Sequence, residues 1–191
     1  MKHKNCSNPY FFIVYLVIIY ALLVHITGPR YRAWLPTPYF LYPNNENEIH
    51  LVIAATKQRT KDDIDLFQLT DSSILPVFHN VFPSIHKNTL HDILVSENHK
   101  ILAIKNIVNR ATPYQISNKV DVMHSTTAHT PAFPAGHAAQ AYILAKYLIK
   151  IYPEQKHAIE RLADKCHDCR VKAGLHYPSD GRFSKLLFFY N

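Results

Sequence analysis

From Pro9 to Thr27 the chain carries no charged side chain, in the run PYFFIVYLVIIYALLVHIT, and only His25 within it can ionise near neutrality. A helix needs about 20 apolar residues to cross a bilayer, so the run is just long enough. Asn8 stands at an N-cap, Pro9 suits a first helical position, and Gly28-Pro29 ends the segment. The pattern predicts a transmembrane helix over 9–27 within an uncleaved membrane anchor over 1–28. Lys2 and Lys4 would also suit a signal peptide, but the apolar stretch is long for one and no small-x-small cleavage site follows Leu23. Tyr31, Trp34, Tyr39 and Tyr42 match an interfacial aromatic belt. Lys2 and Lys4 on one side balance Arg30 and Arg32 on the other, so charge assigns no sidedness.

Residues 29–50 are rich in proline, aromatics and asparagine and read as an irregular connector. Beyond it, over 51–191, the periodicity is helical. Thr60 can cap a segment carrying Ile64, Leu66, Phe67 and Leu69, with Asp62 and Asp63 complementing its dipole. Short helices are expected near Ile74 to Val81 and near Leu90 to Val95. Ala138, Ala141, Tyr142, Ala145, Leu148, Ile149 and Tyr152 recur at three- and four-residue steps, and Ile159, Leu162, Ala163, Cys166 and Ala173 repeat the pattern. Strand-like alternation is scarce. The expected fold is an all-α helical bundle with one N-terminal transmembrane helix.

At 191 residues the chain holds one domain with a core. Its net charge of +7 suits phosphorylated small molecules or anionic lipid headgroups. The basic residues are not collected into a block, so nucleic acid is not an expected partner. Cys166 and Cys169 form a CxxC within a predicted helix. With three cysteines in the chain, a structural zinc site lacks ligands, and a disulfide or two buried thiols is expected. His124 and His129 are expected to be solvent-facing loop residues.

Two segments carry chemistry. In FPAGHAAQAY, Pro131 and Pro134 stiffen the approach, Gly136 leaves the backbone open, and a helix starting near His137 aims free N–H groups outward, which favours an anion. In CRVKAGLHYPSD, Pro178 pushes Tyr177 out of helix, so one helix should stop near His176 and another begin near Ser179. Asp180 can then accept the Nδ1 proton of His176, leaving Nε2 free as a nucleophile, and can cap the last helix. On a straight helix Arg170 would lie some 120° off the face of His176, within reach only through its long side chain.

These segments resemble the second and third signatures of the type 2 phosphatidic acid phosphatase and vanadium haloperoxidase superfamily, PSGH and SR-x5-H-x3-D. The first signature, K-x6-RP, would fall on Lys105 to Pro113 in KNIVNRATP. The resemblance runs from about Glu48 to the C-terminus. It implies that His176 attacks phosphorus and carries a phosphohistidine, that Asp180 orients it, and that His137 protonates the leaving oxygen. It further implies that Lys105, Arg170 and the N–H groups around Ala135 and Gly136 hold the phosphoryl oxygens, with no metal ion required and no other cofactor. His176 neutral and His137 cationic would give a bell-shaped pH profile.

Three positions depart from the signatures. Thr112 stands in place of the first signature's arginine, with Arg110 two residues away as a substitute that could reach in, and Ala135 and Cys169 stand in place of serines. Losing one charge-assisted hydrogen bond costs about 1.5–3 kcal/mol, or ten- to a hundredfold in rate if felt only in the transition state. The resemblance therefore implies an acid-phosphatase-like phosphoric monoester hydrolase of reduced activity, in an aqueous domain tethered to the membrane. Its alternatives are a haloperoxidase holding vanadate at His176, and a non-catalytic membrane protein binding phosphate or anionic lipid.

Overall fold

The N–H groups of a helix's first turn need acceptors, and the chain supplies side chains for some of its helices and not for others. The computed structural model describes Leu16, Ile19 and residues 43–191; the predicted span 9–27, Leu16 and Ile19 excepted, and the connector up to Tyr42 lie outside the described residues. Helix α1, Asn45–Lys57, is capped by Asn44 and carries Glu46 and Glu48 in its first turn. The last six residues of the stretch expected to be irregular are thus helical, because Asn44 acts as a cap rather than a loop residue. Helix α2, Lys61–Thr70, is held by the reciprocal capping box of Thr60 and Asp63. Helix α3 spans Leu75–Val81.

Helix α4, Lys87–Val108, runs for 22 residues where a short segment near Leu90 to Val95 was expected. Its polar stretch Ser96 to Lys100 looks like a loop, yet Leu90, Leu94, Ile101 and Lys105 fall on one buried face across it. Asn109, at φ 50°, ends the helix in the left-handed region, which asparagine tolerates. A single turn, α5, covers Pro113–Ile116. Helix α6 is Gly136–Ile151, α7 is Lys156–Lys172 after a 3-10 turn at Pro153–Gln155, and α8 is Pro178–Lys185, continued by a π turn, Leu186–Tyr190.

The described residues from Pro43 onward belong to one unit and contain no strand, so the all-α expectation holds for them. Among the described residues no helix is long and apolar enough to cross a membrane. Helix α6 is the centre. Ala138, Ala141, Tyr142, Ala145 and Leu148 pack with Leu90, Leu94 and Ile101 of α4 and with Ile159, Ala163 and Cys166 of α7. The alanines let the helices approach closely, which fixes the start of α6 relative to the ends of α4 and α7. Cys166 and Cys169 are buried free thiols, as one of the two expectations had it. His124 and His129 are exposed, also as expected.

Candidate functional site

The buried polar groups gather at the N-terminal end of α6. Its N-cap is Ala135, which has no side-chain acceptor to offer, so no side chain caps the helix. The Ala135 N–H itself donates to the Asp180 carbonyl at 3.3 Å, and that leaves the amides of Gly136 and the residues after it to face an anion. Gly136 is a place of close approach: a Cβ there would lie 3.3 Å from Cε of Lys105. The Lys105 side chain arrives from the last turn of α4, 3 % exposed, and its ammonium donates to the Pro131 carbonyl. Burial, with Arg170 nearby, brings it down to about 7 against the pull of Asp180.

Helix α7 stops at Lys172, four residues before His176, and Gly174 at φ 78° turns the chain. The straight-helix geometry that would separate Arg170 from His176 therefore does not apply. His176 sits in the linker to α8, with its Nδ1 2.8 Å from the Ala132 carbonyl and 3.5 Å from Oδ2 of Asp180. A carbonyl only accepts, so Nδ1 carries the proton and Nε2 keeps its lone pair. The free Nε2 matches expectation, but its orienting acceptor is first of all Ala132. The reason is local: the Ala132 N–H is held by the Arg110 carbonyl at 2.9 Å, which presents the Ala132 carbonyl to the ring. Asp180 is committed elsewhere, with Oδ2 accepting the Tyr177 N–H at 2.8 Å as the cap of α8 and Oδ1 paired with Arg110 at 2.6 Å. Burial brings the His176 imidazole down to about 4, with Lys105 and Arg170 adding to the effect and Asp180 opposing it.

His137, at the second position of α6, places Nε2 3.0 Å from the Asp71 carbonyl. Its Nε2 is thus the protonated nitrogen, and Nδ1 is free. Burial, then the charges of Arg170 and His176, bring His137 down to about 3. A cationic His137 was expected, but burial beside Arg170 and His176 favours the neutral form. Arg170 is buried and pairs through Nη1 with Oδ1 of Asp71 at 2.9 Å. Asp71 also accepts from Ser125 Oγ at 2.5 Å and from the Thr126 N–H at 2.8 Å. Burial alone would raise the Asp71 carboxyl, but these donors outweigh it and hold the group ionised. An internal carboxylate therefore occupies the arginine expected to take a phosphoryl group.

The substitute for the missing first-signature arginine is placed differently from expectation. Arg110 directs its donors to Asp180, Ser179, Glu48, Asn45 and the Pro43 carbonyl, rather than outward to an anion. Thr112 is buried; its Oγ1, like Nε of Arg170, has no hydrogen-bond partner among the described residues. Such orphan groups fit a ligand that would satisfy them. Compared with known proteins, the chain matches no family model and no curated protein.

Glu48, Asp71, Ser125 and Ser179 were not legible as site residues. Glu48 falls in the stretch expected to be irregular and Asp71 just past the helix capped by Thr60, and their partners lie 62 and 99 positions away. Among the described residues no cluster of three or more His, Cys, Asp or Glu side chains is placed to hold a metal ion.

Proposed function

We propose that the chain hydrolyses phosphomonoesters through a phosphohistidine at His176, as a hydrolase of the type 2 phosphatidic acid phosphatase kind anchored in a membrane by residues 9–27. What supports this reading is the convergence of Lys105, His137, Arg170 and His176 at the uncapped start of α6. Nε2 of His176 attacks phosphorus; the N–P bond forms, the bond to the ester oxygen breaks, and the leaving oxygen takes a proton from His137. Water then attacks phosphorus and gives a proton back to His137, the N–P bond breaks, and phosphate departs. The proton arrives with the monoanionic substrate: Nδ1 of His137 takes it up and passes it to the leaving oxygen, while Nε2 keeps its bond to the Asp71 carbonyl. Lys105, Arg170 and the amides of α6 carry the charge that develops on the phosphoryl oxygens. One candidate span in the sequence favours water-soluble phosphomonoesters over phosphatidic acid.

The test is hydrolysis of p-nitrophenyl phosphate by the full chain, with vanadate as inhibitor and an alkaline quench to trap the phosphohistidine. Turnover and label are expected in the wild type and lost in His176→Ala; neither, across pH 4 to 9, overturns the proposal. The hold of Asp71 on Arg170 favours a second reading, anion binding without turnover. Saturable phosphate binding by a chain that does not turn over would select it.

A further inference from the structure

Resting on the reading of His176 as nucleophile, we infer that Glu48 and Arg110 are positioning residues that hold Asp180 beside His176, so that Arg110 serves the nucleophile and not the phosphate. The side chains of Arg110 and Asp180 are fully buried and that of Glu48 is 4 % exposed. A guanidinium has five N–H donors. Nε goes to Asn45 Oδ1 at 2.8 Å, Nη1 to Asp180 Oδ1 at 2.6 Å and Ser179 Oγ at 2.7 Å, and Nη2 to Glu48 Oε2 at 2.9 Å and the Pro43 carbonyl at 3.5 Å. The plane also lies 3.8 Å over the Tyr177 ring. No donor remains for a phosphoryl oxygen, and the cation is matched by two carboxylates.

Glu48 fixes the other end of the arrangement. Its Oε1 accepts the Ser179 N–H at 3.1 Å and Arg182 at 3.3 Å, while Oε2 takes the Ser179 hydroxyl as well as Arg110. A carboxylate from α1 thus sits at the N-terminus of α8, where the helix dipole favours it, one residue from Asp180. For stability alone, well-packed apolar side chains would serve as well as three buried charges. What the charges supply is an Asp180 that stays ionised at complete burial, with both oxygens fixed and one 3.5 Å from Nδ1 of His176. As Nε2 bonds to phosphorus, positive charge builds on the imidazole, and a carboxylate already in place stabilises it without reorganising. The departure at Thr112 and the new position of Arg110 are then one change: the cation has moved from the anion to the residue that supports its attacker.

The experiment is a double-variant cycle on the full chain with Glu48→Gln, Asp180→Asn and the pair, together with Arg110→Lys, each checked for folding by circular dichroism. Two readouts are taken. In p-nitrophenyl phosphate hydrolysis, Glu48→Gln is expected to lower kcat about tenfold and to change KM less than about twofold, with no further loss once Asp180 is already Asn. In NMR, the Nδ1–H resonance of His176 is expected to move in Glu48→Gln and Arg110→Lys in the direction that Asp180→Asn moves it, and the pair to move it no further than Asp180→Asn alone. Losses that multiply, a rise in KM at constant kcat, or a His176 resonance left at its wild-type position in folded Glu48→Gln would overturn the inference. The NMR arm needs no turnover, so it decides the positioning role even where the hydrolase proposal fails.

Discussion

At the scale of single residues, if the proposed hydrolysis takes place, the two histidines and Lys105 set the acidity at which the site can work. His176 must be neutral to attack, and it loses its proton at about 4. Lys105 must be cationic, and it holds its proton only up to about 7. His137, at about 3, is neutral in between, so the proton it hands to the leaving group has to arrive with a monoanionic substrate, abundant below pH ~6. We expect kcat/KM for p-nitrophenyl phosphate to rise with pH through about 4 and fall toward 7, peaking near pH ~5, as an initial-rate profile will show. Thr112 makes a second case. Its hydroxyl is buried without a partner among the described residues, a cost of about 1–3 kcal/mol that Val would remove while keeping the shape. Thr112→Val should raise stability by about 1 kcal/mol in urea unfolding and weaken phosphate inhibition severalfold. A hydroxyl that serves no ligand would give the first effect without the second.

At the scale of elements, helix contacts are set by what each face can tolerate. Gly181 of α8 lies against the buried ring of His167 on α7, and a Cβ there would fall 2.1 Å from that ring. Gly181→Ala should cost about 3 kcal/mol in urea unfolding, and adding His167→Ala should recover part of it, since the second change makes room for the first. The same distinction between local and distant partners decides what the sequence could show. The cap of α2 at Thr60 and the break at Pro178 are written within a few residues, so those boundaries were legible, whereas the earlier stop at Lys172 and the turn at Gly174 were expected only near His176. The length of α4 was not, because five polar residues on its solvent side look like a loop until the core on its other side is known. The histidines of the site could be found by spacing. Asp71 and Glu48 could not, since nothing in the few residues around either marks an acid that is buried against distant partners.

For the whole molecule, burying imidazoles in their neutral form couples folding to pH. The folded values of His137 and His176, about 3 and about 4, lie below the ordinary 6.5. As pH falls below 6.5 the unfolded chain takes up protons first, so stability is fully present above about 6.5 and is lost as pH drops toward 4. Asp71 and Asp180, both held below the usual carboxylate range, add a further loss at lower pH still. Unfolding free energies should fall by on the order of a few kcal/mol between pH 7 and pH 4.5, with a shallower slope in His176→Gln. The window expected for the proposed turnover therefore lies on the falling side of the stability curve, and rates near pH 5 should decay with incubation time faster than rates near neutrality.

The pairing of Asp71 with Arg170 makes the resting chain its own competitor. On the proposed function, an incoming phosphoryl group would find its arginine taken, so observed affinity would be intrinsic affinity multiplied by the fraction of molecules in which the carboxylate has swung away. That fraction belongs to the protein and not to the ligand. Asp71→Asn should accordingly tighten inhibition by phosphate and by vanadate through one common factor, about tenfold if the carboxylate occupies the arginine nine-tenths of the time. Inhibition constants for the two anions, measured side by side on both proteins, check this directly: the ratios should coincide.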